Sequence, residues 1–144
     1  VWAAIESLYT SGKTKMIGIS NVTADQLTLL CARAAHKPMV VQNRCYAALG
    51  WDQDVRTICR THGIIYQGFS LLTANRELFA DPEVRAMAAK YGMGLAQLVF
   101  RFAMQIGMLP LTGTTDPQHM QEDLRSDQFT IAPDDLQRLE IIGM

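Results

Sequence analysis

The sequence predicts an α/β fold, a parallel sheet of four strands with flanking helices, and three observations carry that expectation. Short apolar runs alternate with segments of helical periodicity along the whole chain. The stretches between successive runs are roughly twenty residues or more, as parallel neighbours require to return to the same end of a sheet. The 144 residues are 49% hydrophobic and 19% charged, enough to bury one core. No linker, low-complexity tract or charge block divides them, so residues 1–144 are expected to form a single unit. Four strands make either a small open sheet or half of an eight-stranded (β/α) barrel. A whole barrel needs about 250 residues and at least roughly 200; composition alone leaves the choice open.

Each element has its own signal. Trp2, Ile5 and Leu8 recur at helical spacing, and Ser11-Gly12 stops that helix. Lys15–Ser20 reads as a strand. Thr23 and Gln26 have capping-box spacing and open a helix running to about Ala35, ahead of Pro38. Met39–Gln42 is the second strand. Asp52–His62 is helical with Val55, Ile58 and Cys59 on one face, and Ile64–Gly68 is the third strand. Leu71–Phe79 is a longer connection. Asp81-Pro82 starts a helix to about Lys90. After Tyr91-Gly92, residues Leu95, Leu98, Val99, Phe102 and Ile106 mark another. Met108–Leu111 is the fourth strand. Asp116-Pro117 begins a helix with Met120 and Leu124 inward, and Ala132-Pro133 begins the last, with Leu136, Leu139 and Ile142 in phase.

Composition excludes several classes of function. Thirteen basic against fourteen acidic residues give a net charge of −1, with no positive field for nucleic acid or anionic lipid. The longest apolar stretch, Leu95–Leu111, is broken by Gln97, Arg101 and Gln105, so no membrane span is expected. Val1 opens the chain without initiator Met or cationic leader, which points to a fragment or processed product with no address. Cys31, Cys45 and Cys59 are odd in number and lack metal-ligand spacing, which favours free thiols and a cytoplasmic, reducing location. Cys31 and Cys59 fit core packing, whereas Cys45 is the one open to exposure. His36, His62 and His119 are scattered, and no metal site is expected; His36 and His62 suit helix ends.

In parallel α/β architectures ligands gather at the C-terminal ends of the strands. The residues there are Ser20-Asn21, Gln42-Asn43, Phe69-Ser70 and Thr112-Gly113-Thr114. They can hold a polar ring amide, with Phe69 as a flat stacking surface. Taken singly, Asn21 and Asn43 also read as turn residues and Ser70 as a cap. Leu109–Gln118 (LPLTGTTDPQ) passes from strand to small-residue loop to helix. Free N–H groups and the Thr114 and Thr115 hydroxyls there can cradle a phosphate. Equally, the loop is a capped connection with Asp116 as N-cap, whose charge repels an anion.

Taken together, these segments resemble one family. WAAIESLYTSGKTKMIGISNVTADQL (Trp2–Leu27) is similar to the helix-strand-helix of aldo-keto reductases, in which a helix ending in Gly-Lys leads to a strand closing on Gly-x-Ser-Asn. VVQNRCY (Val40–Tyr46) resembles that family's next strand, and YQGFSLL (Tyr66–Leu72) the aromatic-Ser-x-Leu strand after it. The remainder from Asp81, including LPLTGTTDPQHMQEDL (Leu109–Leu124), is similar to the last section of the barrel.

The resemblance implies a parallel (β/α) half-barrel of TIM-barrel type, the C-terminal half of an NADPH-dependent carbonyl reductase. It places Ser20, Asn21 and Gln42 on the nicotinamide carboxamide, and Phe69, where the family usually has Tyr, stacked on the ring. Ser70 and Leu72 would lie along the pyrophosphate. Thr114, Asp116, His119, Glu122 and Asp123 would fall at the adenosine end. Gly113 stands where many members carry Lys, and His119 where many carry the Arg that pairs with the 2′-phosphate, so any preference for NADP over NAD should be reduced. The family's catalytic Asp, Tyr, Lys and His belong to the other half; no catalytic residue is assigned here. Unpaired strand edges point to a homodimer or a complementary N-terminal half as partner. Three readings follow: a cofactor-binding half inactive alone, an oxidoreductase when completed, or a non-catalytic interaction or scaffold module.

Overall fold

Every strand is followed by at least one helix that carries the chain back across the sheet, so neighbouring strands run the same way. The computed structural model describes residues 1–144. Strands β1 (Gly18–Ser20), β2 (Val40–Arg44), β3 (Ile65–Phe69) and β4 (Met108–Pro110) form one sheet in sequence order, and all three pairings are parallel. The helices are α1 (Trp2–Thr10), α2 (Ala24–Arg33), α3 (Gln53–His62), α4 (Pro82–Tyr91), α5 (Leu95–Gln105), α6 (Pro117–Leu124) and α7 (Pro133–Ile141).

The helix starts follow their sequence signals. Thr23 and Gln26 close a reciprocal capping box on α2, and Asp81 and Asp116 cap α4 and α6 ahead of their prolines. The strand limits shift. Lys15–Ile17 stays outside β1 because the Thr14 hydroxyl donates to the Met16 carbonyl at 2.7 Å and holds this stretch in a local turn. β2 extends to Arg44 and β3 to Phe69, and Arg76–Phe79 adds a 3₁₀ turn to the long connection. Where Asp52 was expected to begin a helix, Gly50, Trp51 and Asp52 all adopt left-handed backbone. That tight reversal drives Trp51 into the core, where its Nε1 donates to the Leu139 carbonyl at 2.9 Å and its ring packs on Phe102.

The sheet is covered on one face. Val41, Asn43, Cys45, Tyr66, Gly68 and Met108 point toward the helices and are buried. Registered residues of a parallel sheet share a face, so Ser20, Gln42, Gln67 and Leu109 form a rung on the other side, above Gly18, Val40 and Ile65. Ile65 is 44% and Leu109 48% exposed. Both edges, β1 and β4, are unpaired. Gly18 lets β1 approach closely: a Cβ there would meet the Val40 carbonyl oxygen at 2.7 Å.

Two expected positions are corrected. Met120 and Leu124 are 46% and 78% exposed rather than inward, because α6 stands off α5 across an open cavity that both side chains line. Cys45 is fully buried rather than exposed, since strand alternation turns it to the helix side beside Tyr66.

Buried polar groups fix the loops at the C-terminal ends of the strands. Asn75 accepts from Ala47 N at 2.7 Å and donates to the carbonyls of Cys45 (3.0 Å) and Leu71 (2.8 Å), tying the exits of β2 and β3 together. Replacing Asn75 by Ala strands one N–H and two carbonyls, at roughly 1–3 kcal/mol for a buried unmet group. Urea unfolding at 25 °C should show Asn75→Ala destabilised by about 3 kcal/mol, against less than about 0.5 kcal/mol for an exposed change such as Thr57→Ala.

Candidate functional site

The bare sheet face holds one cavity and the C-terminal rim two more that adjoin. The first, about 260 Å3, sits on the bare face and is lined by Gly18, Ile19, Ser20, Val40, Gln42 and Gln67. There Gln42 Nε2 donates to Gln67 Oε1 at 3.1 Å. This pairing leaves the Gln42 carbonyl oxygen as an acceptor and the Gln67 amide hydrogens as donors, with the Ser20 hydroxyl beside them. Such a set complements a primary carboxamide. Phe69 lies one rung further along the same face, in register with Arg44.

The second cavity, about 220 Å3, runs between the loops after β3 and β4 and is lined by Ser70, Leu71, Leu72, Thr73, Phe100, Leu111, Thr112 and Gly113. Ser70 holds a left-handed backbone at φ 57°, which costs about 1 kcal/mol for a non-glycine residue and turns the chain sharply out of β3. The third cavity, about 500 Å3, shares Phe100, Thr112 and Gly113 with the second and continues between α5 and α6 past Thr114, Met120, Asp123, Leu124 and Ser126. Ser126 is 1% exposed, and its Oγ has no hydrogen-bond partner. An orphaned buried hydroxyl in a cavity wall fits a bound polar group.

Seven of the twelve expected residues line the three cavities: Ser20 and Gln42 the first, Ser70, Leu72 and Gly113 the second, and Gly113, Thr114 and Asp123 the third. Phe69 lines none of them, and four more lie off them. Asn21 is left-handed at φ 55°, donates its backbone N–H to the Gln42 carbonyl at 3.0 Å, and lines a separate groove against α2; its turn reading is the one the backbone realises. Asp116 accepts from Gln118 N, His119 Nδ1 stands 3.9 Å from Asp116 Oδ2, and the Glu122 carboxylate accepts from Gln118 Nε2. These three form a surface cluster on α6 outside the cavity lining. Asn43 is neither turn nor rim residue: its amide bonds the backbone of Val22 and the Asp52 carboxylate on the helix side.

Sequence reasoning missed Gln67, Phe100 and Ser126. Gln67 carried a usable signal, a polar residue in phase with the inward positions of β3. Ser126 carried none, since its burial comes from α5 packing over the turn after α6.

The helix side holds the perturbed groups. Burial pushes the Cys45 and Cys59 thiols up to about 12 and raises Cys31 as well. Burial also drives the Tyr66 phenol upward, and the hydroxyl donates to Asp52 Oδ2 at 2.7 Å. None of these is a poised nucleophile or proton donor. No three of the His, Cys, Asp and Glu side chains converge to hold a metal ion, and no helix is long and apolar enough to cross a membrane.

Fold and strand order together define one side of a (β/α)8 barrel, with polar side chains at the strand ends. The chain belongs to the aldo/keto reductase family, whose model matches residues 1–143. It is 28% identical over 145 residues to aldo-keto reductase family 1 member A1 of Xenopus tropicalis, covering 94% of this chain and 44% of that protein. It is 32% identical over 150 residues to the 7-acetyl-epi-neemfruitin B aldo-keto reductase of Melia azedarach, covering 99% and 46%. Among solved structures, an aldo/keto reductase from Brucella melitensis superposes with a TM-score of 0.83 at 24% identity over 96% of this chain and 52% of the other. The enzyme MGS-M4, from a deep-sea metagenome of the Medee basin, gives 0.88 at 22% over 99% and 54%. The chain spans about half the length of the curated relatives it matches.

The raised thiols make a measurable demand. Unfolded cysteines ionise near 9 while folded Cys45 and Cys59 stay protonated to about 12. Their burial therefore contributes stability in full below pH 9 and loses it as pH rises toward 12. Native protein at pH 8 should react with a thiol-specific disulfide reagent at least about a hundredfold more slowly than urea-unfolded protein, and its melting temperature should fall between pH 9 and 11.

Proposed function

We propose that this chain is the cofactor-holding half of an NAD(P)H-dependent carbonyl oxidoreductase, without a proton donor of its own. The observation that carries the reading is a polar rung on the bare face together with two adjoining cavities at the rim, which share Phe100, Thr112 and Gly113. A carboxamide-complementary trio (Ser20, Gln42, Gln67) stands on the bare face, and a hydroxyl-lined cavity (Ser70, Thr73, Thr112) adjoins a larger one whose wall includes the orphaned Ser126 Oγ. An amide-holding rung, a phosphate-sized cavity and a ring-sized one match the groups of a nicotinamide dinucleotide.

The chain's own residues would bind and orient. Gln42 and Gln67 would fix the carboxamide, and Phe69 would lie against the ring face. Thr112, Gly113 and Thr114 would line the passage to the pocket. When bound, the cofactor supplies the hydride for carbonyl reduction. A protein group must then protonate the developing alkoxide, and Tyr66 is directed away from the bare face into its bond with Asp52. Turnover is therefore expected only in a completed barrel. The exposed inner face and the unpaired edges of β1 and β4 support pairing with a complementary four-stranded half or a second copy.

Two measurements test this. Titrating NADH and NADPH against the chain by fluorescence should show saturable binding, weakened about tenfold by Gln42→Leu, or ~1.4 kcal/mol, with no aldehyde-dependent oxidation. Absence of saturation would favour the scaffold reading, and aldehyde turnover by the chain alone would reveal a proton donor in it. Light scattering should give at least twice the 16.0 kDa chain mass; a stable folded monomer at micromolar concentration would remove the pairing.

A further inference from the structure

Arg44 is the only charged residue on the bare face of the sheet; the other strand residues of that face are glycine, apolar or uncharged polar. Its side chain is exposed, and no carboxylate pairs with it. The acid closest in sequence to the exit of β2, Asp52, is turned to the covered side by its bonds to Asn43 and Tyr66. The Arg44 guanidinium stands 5.5 Å over the Tyr46 ring, a contact that orients the cation and leaves its charge in place.

Arg44 is in register with Phe69 on β3 and two residues beyond Gln42 on β2. The strand spacing sets its backbone about 5 Å from that of Phe69, and two residues of strand set it about 7 Å from Gln42. Resting on the dinucleotide reading above, which puts the carboxamide on Gln42 and the ring on Phe69, we infer that Arg44 makes this site discriminate between the oxidation states of the cofactor, holding the reduced form more tightly than the oxidised. The dihydronicotinamide ring is neutral, whereas the oxidised ring is a cation, and a guanidinium a strand's width away repels only the second. Phe69 alone would do the opposite, since an aromatic face attracts a cationic ring. Pyrophosphate and adenosine are the same in both forms, so any attraction of Arg44 for the phosphates cancels in the comparison. The chain then takes up the hydride-carrying form and releases the spent one, the exchange that carbonyl reduction requires.

Calorimetric titration of the chain with NADH and with NAD+ tests this. At about 20 mM salt NADH should bind at least about threefold more tightly. At about 0.5 M salt, where screening acts over about 4 Å, the ratio should fall below about 1.5. Arg44→Gln should abolish the low-salt preference, and Arg44→Lys, which keeps the charge, should retain most of it. Equal or tighter binding of NAD+ to the unmodified chain at low salt, or a preference for NADH that either Arg44→Gln or added salt leaves unchanged, would overturn the inference and leave the dinucleotide reading intact. Binding of neither form to protein folded by circular dichroism would remove both.

Discussion

One-sided cover of the parallel sheet is the constraint on which the rest of this molecule depends. Parallel strands need crossovers, and crossovers of one hand stack their helices on one face. Val41, Tyr66 and Met108 find helix partners, while Val40, Ile65 and Leu109 face outward with none in the chain. Parallel sheets are ordinarily buried on both faces. The bare face is therefore at once a concavity of about 260 Å3 and an apolar surface without cover in the chain. Its middle rung, Ser20, Gln42 and Gln67, is polar where a core would be apolar, and the three line one cavity.

The rim owes its shape to polar groups on the opposite side. Asn43 reaches back to Val22 and across to Asp52, and Tyr66 adds a second bond to that carboxylate. The left-handed turn at Gly50–Asp52 brings Asp52 to them and lets Arg56 donate to the Trp51 carbonyl. Arg56 also pairs with Glu140, so the exit of β2 is locked to α7. Each buried donor in this network has a partner, which is what a rigid loop platform requires. Side chains that line the rim are held by side chains on the covered side of the sheet.

Much of this was legible in the sequence, and the failures share a cause. Caps and periods are local, so Thr23, Asp81 and Asp116 declared their helices before any packing was known. The fold class followed from alternation and connection length. Burial is not local. Met120 and Leu124 recur at helical spacing and mark an apolar face, but spacing does not say whether the partner surface lies in the same chain. Cys45 has the local look of an exposed loop residue, and only strand phase assigns it to the core. Asn43 reads as a turn former by type, yet two-residue alternation from Val41 sends it inward to a structural bond. Gln67 and Ser126 became site residues through the register of β3 with β2 and the packing of α5 over α6, which no single segment encodes.

Binding and chemistry make different geometric demands on such a barrel. An extended ligand can be held by the ends of neighbouring strands, since adjacent loops present groups in series along a rim, and four consecutive strands suffice. A proton donor must reach the developing alkoxide oxygen of a carbonyl held over that ligand, so under the proposed reading it has to project from strands on the far side of the barrel axis. The helix-side placement of Tyr66 shows why a local substitute is hard to supply: a tyrosine in the sheet either faces the helices, where burial raises its pKa and a structural bond claims its hydroxyl, or faces the concavity, where the amide rung already stands. A half-barrel of this register can keep the geometry of cofactor recognition while leaving acid catalysis to the strands that complete it.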